Sequence, residues 1–469
     1  MRVLFHRQAT PRILLFYLAI LGKIAASALS AVGFVLKSAP AMIAGTIVWL
    51  IFFAVLLAVA LPGTDRFFRD GHRWLRYTAG AVIVVLLLAG IAQSVLTSLV
   101  GLQSIYGDNS ESNLGRLFLS LDKVFAYNDA TSLSHQAADN FIEGKNPYAE
   151  ANIVTAGIKY DIAPDKLTPL REGRLADAFP YPEMARLESL WQEAIRHPDQ
   201  VPPELESRFN YPAGDFLLPA LFIRLGVEDI RIIYLILILP ALVYTVIKVP
   251  RDLRIFFLIA LLASLELWNS LAAGETGFLY FPFILLAWLL YKRNLWLSAL
   301  FLGVAVAIKQ IAWFIIPFYF IVVLRTMGIK KLLLTVLIIA GVFFAANAPF
   351  LVQDPGLWLK SIIAPLTDRM FPLGVGVISL VSGGVLDIRS PLVFSILEII
   401  IGAAAIVWYF LNCRRYPDTG PVLAVLPLFF AWRSLWGYFF YVDIIVLAAI
   451  MINEYGRNTT GITENMAKV

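Results

Sequence analysis

The feature that most constrains the fold is a series of apolar runs, each long enough or nearly long enough to cross a bilayer, recurring along the chain. A crossing helix needs about 20 apolar residues and must bond every backbone N–H and C=O within itself, because no water is there to do so. Runs such as Ala79–Val100 and Leu332–Phe350 lack the polar face, repeating every 3.6 residues, of a helix on a soluble core. Composition agrees: 15% of the 469 residues are charged, against about 25% in soluble domains. The pattern therefore predicts an all-α polytopic membrane protein. A single cysteine, Cys413, excludes an internal disulfide, so helix packing must hold the fold. The net charge of +5 is modest, and no nucleic-acid-binding motif occurs.

The apolar runs place about twelve crossings, of roughly 20 residues where complete. They fall at Ile13–Leu36, Ala41–Leu61, Leu75–Leu99, Ile230–Val249, Leu253–Ala272, Thr276–Tyr291, Leu295–Ile308, Ile311–Leu324, Leu332–Phe350, Pro391–Asn412, Pro421–Leu435 and Gly437–Ile452. The first follows a basic stretch, Met1–Arg12, and its length favours an uncleaved helix over a cleaved signal peptide. Lysine and arginine collect on the cytoplasmic side. With twelve crossings, these clusters all fall on one side: Arg2, Arg7 and Arg12; Arg66, Arg69, Arg73 and Arg76; Lys248, Arg251 and Arg254; Lys292 and Arg293; Arg325, Lys330 and Lys331; Arg414 and Arg415. Both termini are then cytoplasmic in a multi-pass plasma-membrane protein, provided that Phe216–Leu225 is a half-helix that does not cross. The chain divides into three N-terminal spans (1–100), a large extracytoplasmic loop with juxtamembrane helices and the half-helix (101–229), a block of spans (230–352), a second extracytoplasmic loop (353–390), C-terminal spans (391–455) and a cytoplasmic tail (456–469).

Polar residues in the loops and at span ends carry whatever chemistry there is. In Tyr127-Asn-Asp-Ala-Thr, either Asn128 or Asp129 caps a helix that Gly144 and Pro147 stop about four turns later. Asp129 reads equally as a cap and as a functional acid. Asp215, before the half-helix, reads as another cap. Lys309 and Gln310 interrupt two apolar helices, Glu275 closes a turn, and Arg433 lies between two tryptophans. Cations on the outer side run against the orientation bias, and charge at membrane depth is costly and commonly functional; the plainer alternative is snorkelling to head groups. Asp443, Glu266 and Glu398 lie within spans and read as partnered structural acids. His135, on the outer helix, reads as readily as an exposed polar residue as a chemical one. The histidines His6, His72, His135 and His197 lack metal-ligand spacing.

The order of these landmarks resembles the GT-C membrane glycosyltransferases, in particular their bacterial polyprenyl-phosphate-dependent, mannosyltransferase-like branch. Tyr127-Asn-Asp-Ala followed by Gly144-Lys-Asn-Pro-Tyr148 is similar to the family's first outer loop. Asn210-Tyr-Pro-Ala before Phe216-Leu-Leu-Pro219 is similar to its Tyr-Pro-Pro segment. Ala305-Val-Ala-Ile-Lys309-Gln is similar to its small-residue helix ending in Lys-Pro, and Asn347-Ala-Pro-Phe350 with Asp354-Pro and Trp358 to its next landmark. No proline follows Lys309, and Ala213 stands where the second proline would be. The first outer loop follows the third crossing rather than the first, as two added N-terminal spans would produce.

The resemblance implies a GT-C-like fold. It also implies transfer, with inversion, of a sugar from a polyprenyl-phosphate donor to a lipid or glycan acceptor on the extracytoplasmic side. Asp129 would be the general base, and Lys309, Gln310 and Arg433 would hold the donor phosphate. Asn128, Tyr148, Tyr211 and Glu275 would contact substrate. No protein-only metal site is expected; a divalent cation, used by some members, is left open. A transporter or lipid flippase would share the spans and buried charges, but transporters commonly show repeated halves, and none are evident. A non-catalytic assembly protein on the same scaffold is the third class.

Overall fold

The computed structural model describes residues 10–68, 73–106 and 127–455. Arg2, Arg7, Arg69, His6, His72, residues 107–126 of the first loop and the tail from Gly456 lie outside the described residues. Helices make up most of what is described. Pro11–Leu36 (α1) and Ala39–Ala60 (α2) pack along each other as a hairpin, turned by Lys37 at φ 49°. Arg73–Tyr106 (α3) follows. Among the described residues, eight helices are long and apolar enough to cross a membrane, nine if one bent pair counts as a single span. Three shorter apolar helices, Gly277–Leu290, Leu295–Ile308 and Pro417–Phe430, accompany them.

Between α3 and the next long helix lies a polar cap with its own core. Asp129–Ile142 (α4) is a 14-residue helix, capped by Asn128, whose side-chain oxygen accepts from the Thr131 N–H at 2.9 Å. Gly144 at φ 77° stops the chain just past its end. Met184–Arg196 (α5) buries Leu187, Leu190, Trp191 and Ala194, the i, i+3, i+4, i+7 stripe of an amphipathic helix. The half-helix Gly214–Arg224 (α6) lies against α4. Leu133, Trp191, Phe209, Phe216 and Phe350 meet in this core.

The long helix Ile230–Lys248 (α7) returns to the main bundle. The expected span Leu253–Ala272 is broken by 51° between Arg254–Ala263 (α8) and Leu265–Ala272 (α9). Ser264 at the break has φ −77°, ψ 69°, and its hydroxyl donates to the Ala260 carbonyl at 2.8 Å, a side-chain bond that competes with the helical ladder. Gly277–Leu290 (α10) and Leu295–Ile308 (α11) form an antiparallel pair, and Lys309 follows α11 in extended conformation. A 3₁₀ turn over Gln310–Phe314 leads into Ile315–Met327 (α12), and Ile329–Gln353 (α13) completes this block.

The second long connection opens with Pro355–Ile362 (α14) and contains the short strand Leu373–Gly374 (β1). Leu392–Asn412 (α15) follows. The expected helix to Leu435 instead ends as a 3₁₀ turn at Phe430, where Pro427 interrupts the ladder. The chain then extends as Arg433–Ser434 (β2), paired in parallel with β1. Val442–Ile450 (α16), buried on all sides, leads into a π-helical turn over Met451–Tyr455 that closes the described chain.

Candidate functional site

Where the polar cap, the second long connection and the ends of the bundle helices meet, they enclose a cavity of about 1890 Å³. Asp129, Lys309 and Arg433, far apart in sequence, all line it, as do Asn128, Tyr211, Glu275 and Gln310.

Asp129 is the first residue of α4. With Asn128 taking the capping position, the Asp129 carboxyl is not needed as a cap. It accepts from the Ala130 N–H at 2.7 Å and is hydrogen-bonded by Thr168. Burial raises its pKa, against these bonds and the nearby positive charge of Arg433. Asn128 also ties in Glu275, donating from Nδ2 to Oε1 at 3.3 Å. Burial lifts the Glu275 carboxyl too, opposed chiefly by Lys309.

Lys309 is brought to the cavity by the break between α11 and the 3₁₀ turn. Its ammonium donates to the Thr276 hydroxyl and sits 4.3 Å from the centre of the Tyr211 ring. Burial lowers its pKa, and the carboxyls of Asp215, Glu275 and Asp129 push it back up. Asp215 is no helix cap: Ala213 holds that position, and Asp215 is fully buried, with Ser134 donating to its Oδ1. It stands behind Lys309 rather than on the cavity wall.

Arg433 is fixed by strand pairing, since β2 lies opposite Leu373 and Gly374, and the Val375 N–H donates to the Ser434 carbonyl at 2.8 Å. Gly374, at φ 143°, is required there: a Cβ would run into Ser434. Trp432 adds an N–H bond to the Met370 carbonyl at 2.9 Å. The Arg433 Nη1 is buried and has no hydrogen-bond partner among the described residues.

Two expected contacts change. Gln310 donates from Nε2 to the carbonyls of Asn210 at 2.6 Å and Ile362 at 3.1 Å. Both amide protons are thereby used, and the residue tethers loops instead of offering a bond to phosphate. Tyr148 is turned inward by the Gly144–Pro147 turn and packs on Phe209, Phe216 and Phe350. Its hydroxyl donates to the Tyr211 carbonyl at 3.0 Å, so it supports the site from behind. His135 is buried, not exposed, stacked on Tyr160 with centroids 4.5 Å apart.

Sequence reasoning missed Glu206 and Asp368. Glu206 lines the cavity 7% exposed, accepts from Asn210 Nδ2 at 2.6 Å, and is raised by burial to about 7. Asp368 lines it too, paired with Arg208 at 3.2 Å. Nothing in the charged stretch around Glu204 and Glu206, or in Thr367-Asp-Arg369, singles out either acid. Glu266 and Asp443 are partnered as expected, through Lys23. Glu398 is not: it faces the cavity with no hydrogen bond or ion pair among the described residues.

Away from these groups the cavity becomes apolar. Its wall follows α15 through Ile399, Gly402 and Ile406, opposite Phe318, Pro427 and Leu428. Ser395 and Glu398 line the same wall, and beyond them the apolar stretch from Ile399 to Ile406 is about 10 Å long at 1.5 Å rise per residue. The lining acids (Asp129, Asp165, Glu206, Glu275, Asp368, Glu398) equal the lining bases (Lys166, Arg171, Arg208, Lys309, Arg369, Arg433). The cavity is thus no single-sign conduit for ions. Among the described residues, no three His, Cys, Asp or Glu side chains cluster to hold a metal ion. No family model matches the chain, nor does any curated protein or solved structure compared with it.

Proposed function

We propose that this protein is a GT-C-like membrane glycosyltransferase that moves a sugar from a polyprenyl-phosphate donor to a lipid or glycan acceptor on the extracytoplasmic side. The observation that carries the reading is one cavity that joins a buried acid and two cations to an apolar limb. A polyprenyl-phosphate sugar has that same polarity: polyhydroxyl head, anionic link, hydrocarbon tail.

In the proposed step, the Asp129 carboxylate takes the proton of the acceptor hydroxyl as its oxygen bonds to the anomeric carbon. The bond from that carbon to the phosphate oxygen breaks, and polyprenyl phosphate leaves with the electron pair. Lys309 acts as a point charge and Arg433 as a planar donor where that negative charge develops. A single displacement inverts the anomeric centre. Asn128, Tyr211 and Glu275 face the sugar. The arrangement fits twelve segments in the membrane, counting the eight long helices, the bent pair and the three shorter helices. Both termini would then be cytoplasmic.

Asp129→Asn tests the reading by turnover of a polyprenyl-phosphate sugar. Loss of a general base slows the reaction about 10²- to 10⁴-fold. The base must be ionised, and burial raises its pKa, so the acidic limb of the wild-type pH–rate profile should lie above the ordinary aspartate range. Near-normal turnover by Asp129→Asn removes Asp129 from the chemistry.

A further inference from the structure

Arg433 and Glu206 share one end of the cavity, and their relation bears on how the donor is held. Arg433 is fixed through its backbone, and its buried Nη1 has no hydrogen-bond partner among the described residues. Glu206 is held on the opposite segment: its N–H donates to the Thr168 carbonyl at 3.0 Å, and Thr168 in turn bonds Asp129. The Glu206 carboxyl lies close enough to feel the guanidinium, yet no hydrogen bond or ion pair joins them. A guanidinium beside an acid that has not closed on it is left for a third party.

We propose that Glu206 is a positioning residue that sets the phosphate affinity of Arg433: when neutral it leaves the guanidinium to the ligand, and when ionised it competes for it. The proposal rests on the sugar-transfer reading, in which the donor is linked through a phosphodiester. The groups that face Glu206 are Arg433 on β2, Asp129 on α4, Asp368 on the second connection, Asn210 beside it, and the hydroxyls of Tyr211 and Tyr438. Asp129 and Asp368 disfavour its charge; Arg433 and Asn210 favour it. Burial outweighs them and carries its titration to about 7. Below that pH the carboxyl is neutral and Arg433 is free; above it the carboxylate draws on the same charge.

The test uses polyprenyl methyl phosphate, a diester whose single charge is constant between about pH 5 and 9. Its equilibrium binding is measured on the full-length protein in nanodiscs. Wild type should bind roughly tenfold more weakly at pH 8.5 than at pH 6, the change expected from a coupling of one pKa unit. Glu206→Gln, neutral throughout, should bind at pH 8.5 as wild type binds at pH 6. Asn210→Ala removes a donor to the carboxylate and should move the wild-type transition to higher pH, which also serves if Glu206→Gln does not fold. Parallel pH curves for wild type and Glu206→Gln, or an unmoved transition in Asn210→Ala, overturn the role of Glu206 alone. No binding by wild type at any pH overturns the sugar-transfer reading, and this proposal with it.

Discussion

The role proposed for Lys309 depends on its seat. An exposed lysine is a strongly hydrated, mobile charge. This one is packed over Tyr211, bonded to Thr276 and flanked by Asp215, Glu275 and Asp129, whose carboxyls offset part of the burial that lowers its pKa. Lys309→Ala should weaken binding of a polyprenyl phosphodiester by about tenfold or more, since a hydrogen bond to a charged group contributes about 1.5–3 kcal/mol. Lys309→Arg should not restore it, because the planar fork does not fit a niche shaped for one ammonium. Unchanged affinity in Lys309→Ala, read by equilibrium binding, discards its phosphate role. The same scale explains why Asp129 and Asp215 part ways. Both begin helices, but Asn128 frees Asp129 to face the cavity, while Ser134 holds Asp215 within the protein.

Among the elements, the bent pair α8–α9 is held by a buried cluster. Lys23 on α1 lies 2.8 Å from Asp443 and 3.4 Å from Glu266, and donates to the Phe440 carbonyl at 3.2 Å. Ser27 donates to the other Glu266 oxygen. One lysine thus joins α1, α9 and the start of α16 just past the bend. Breaking a buried pair by removing one partner costs about 3–5 kcal/mol, because the remaining charge is stranded. Lys23→Met should therefore lower the thermal denaturation temperature of the purified protein sharply. Adding Glu266→Gln and Asp443→Asn should recover much of the loss. A triple variant no more stable than Lys23→Met would show that the cluster does not act as a unit.

Over the whole molecule, the cavity runs from charged to apolar, and its two ends should separate in kinetics. In the proposed reaction the polar end would carry the chemistry and the limb along α15 the hydrocarbon. Each methylene buried contributes about 0.8 kcal/mol. Shortening the donor's prenyl chain should raise KM steeply with little change in kcat. Gly402 lines the limb, and a Cβ there would sit 3.6 Å from Pro427, so a longer side chain must enter the groove. Gly402→Leu should raise KM for the long-chain donor and spare a truncated one. Equal effects on both donors would place the hydrocarbon elsewhere.

The apolar runs by themselves determined that this is a helical membrane protein, because a bilayer leaves a backbone few ways to satisfy its hydrogen bonds. Local chemistry likewise determined the helix between Asn128 and Gly144, whose cap and stop are encoded within its own residues. It located Asp129, Lys309 and Arg433 as candidates through their unusual positions. Only the tertiary structure decided what each of them faces. Glu206 and Asp368 lie in charged loops that look like any others, Gln310 is spent on two carbonyls, and Tyr148 turns inward. Arg433 reaches its place through strand pairing with a connection some sixty residues earlier, Leu373↔Arg433. Burial and neighbouring charge decide whether a polar side chain is a cap, a tether or a ligand, and both are supplied by segments distant in the chain.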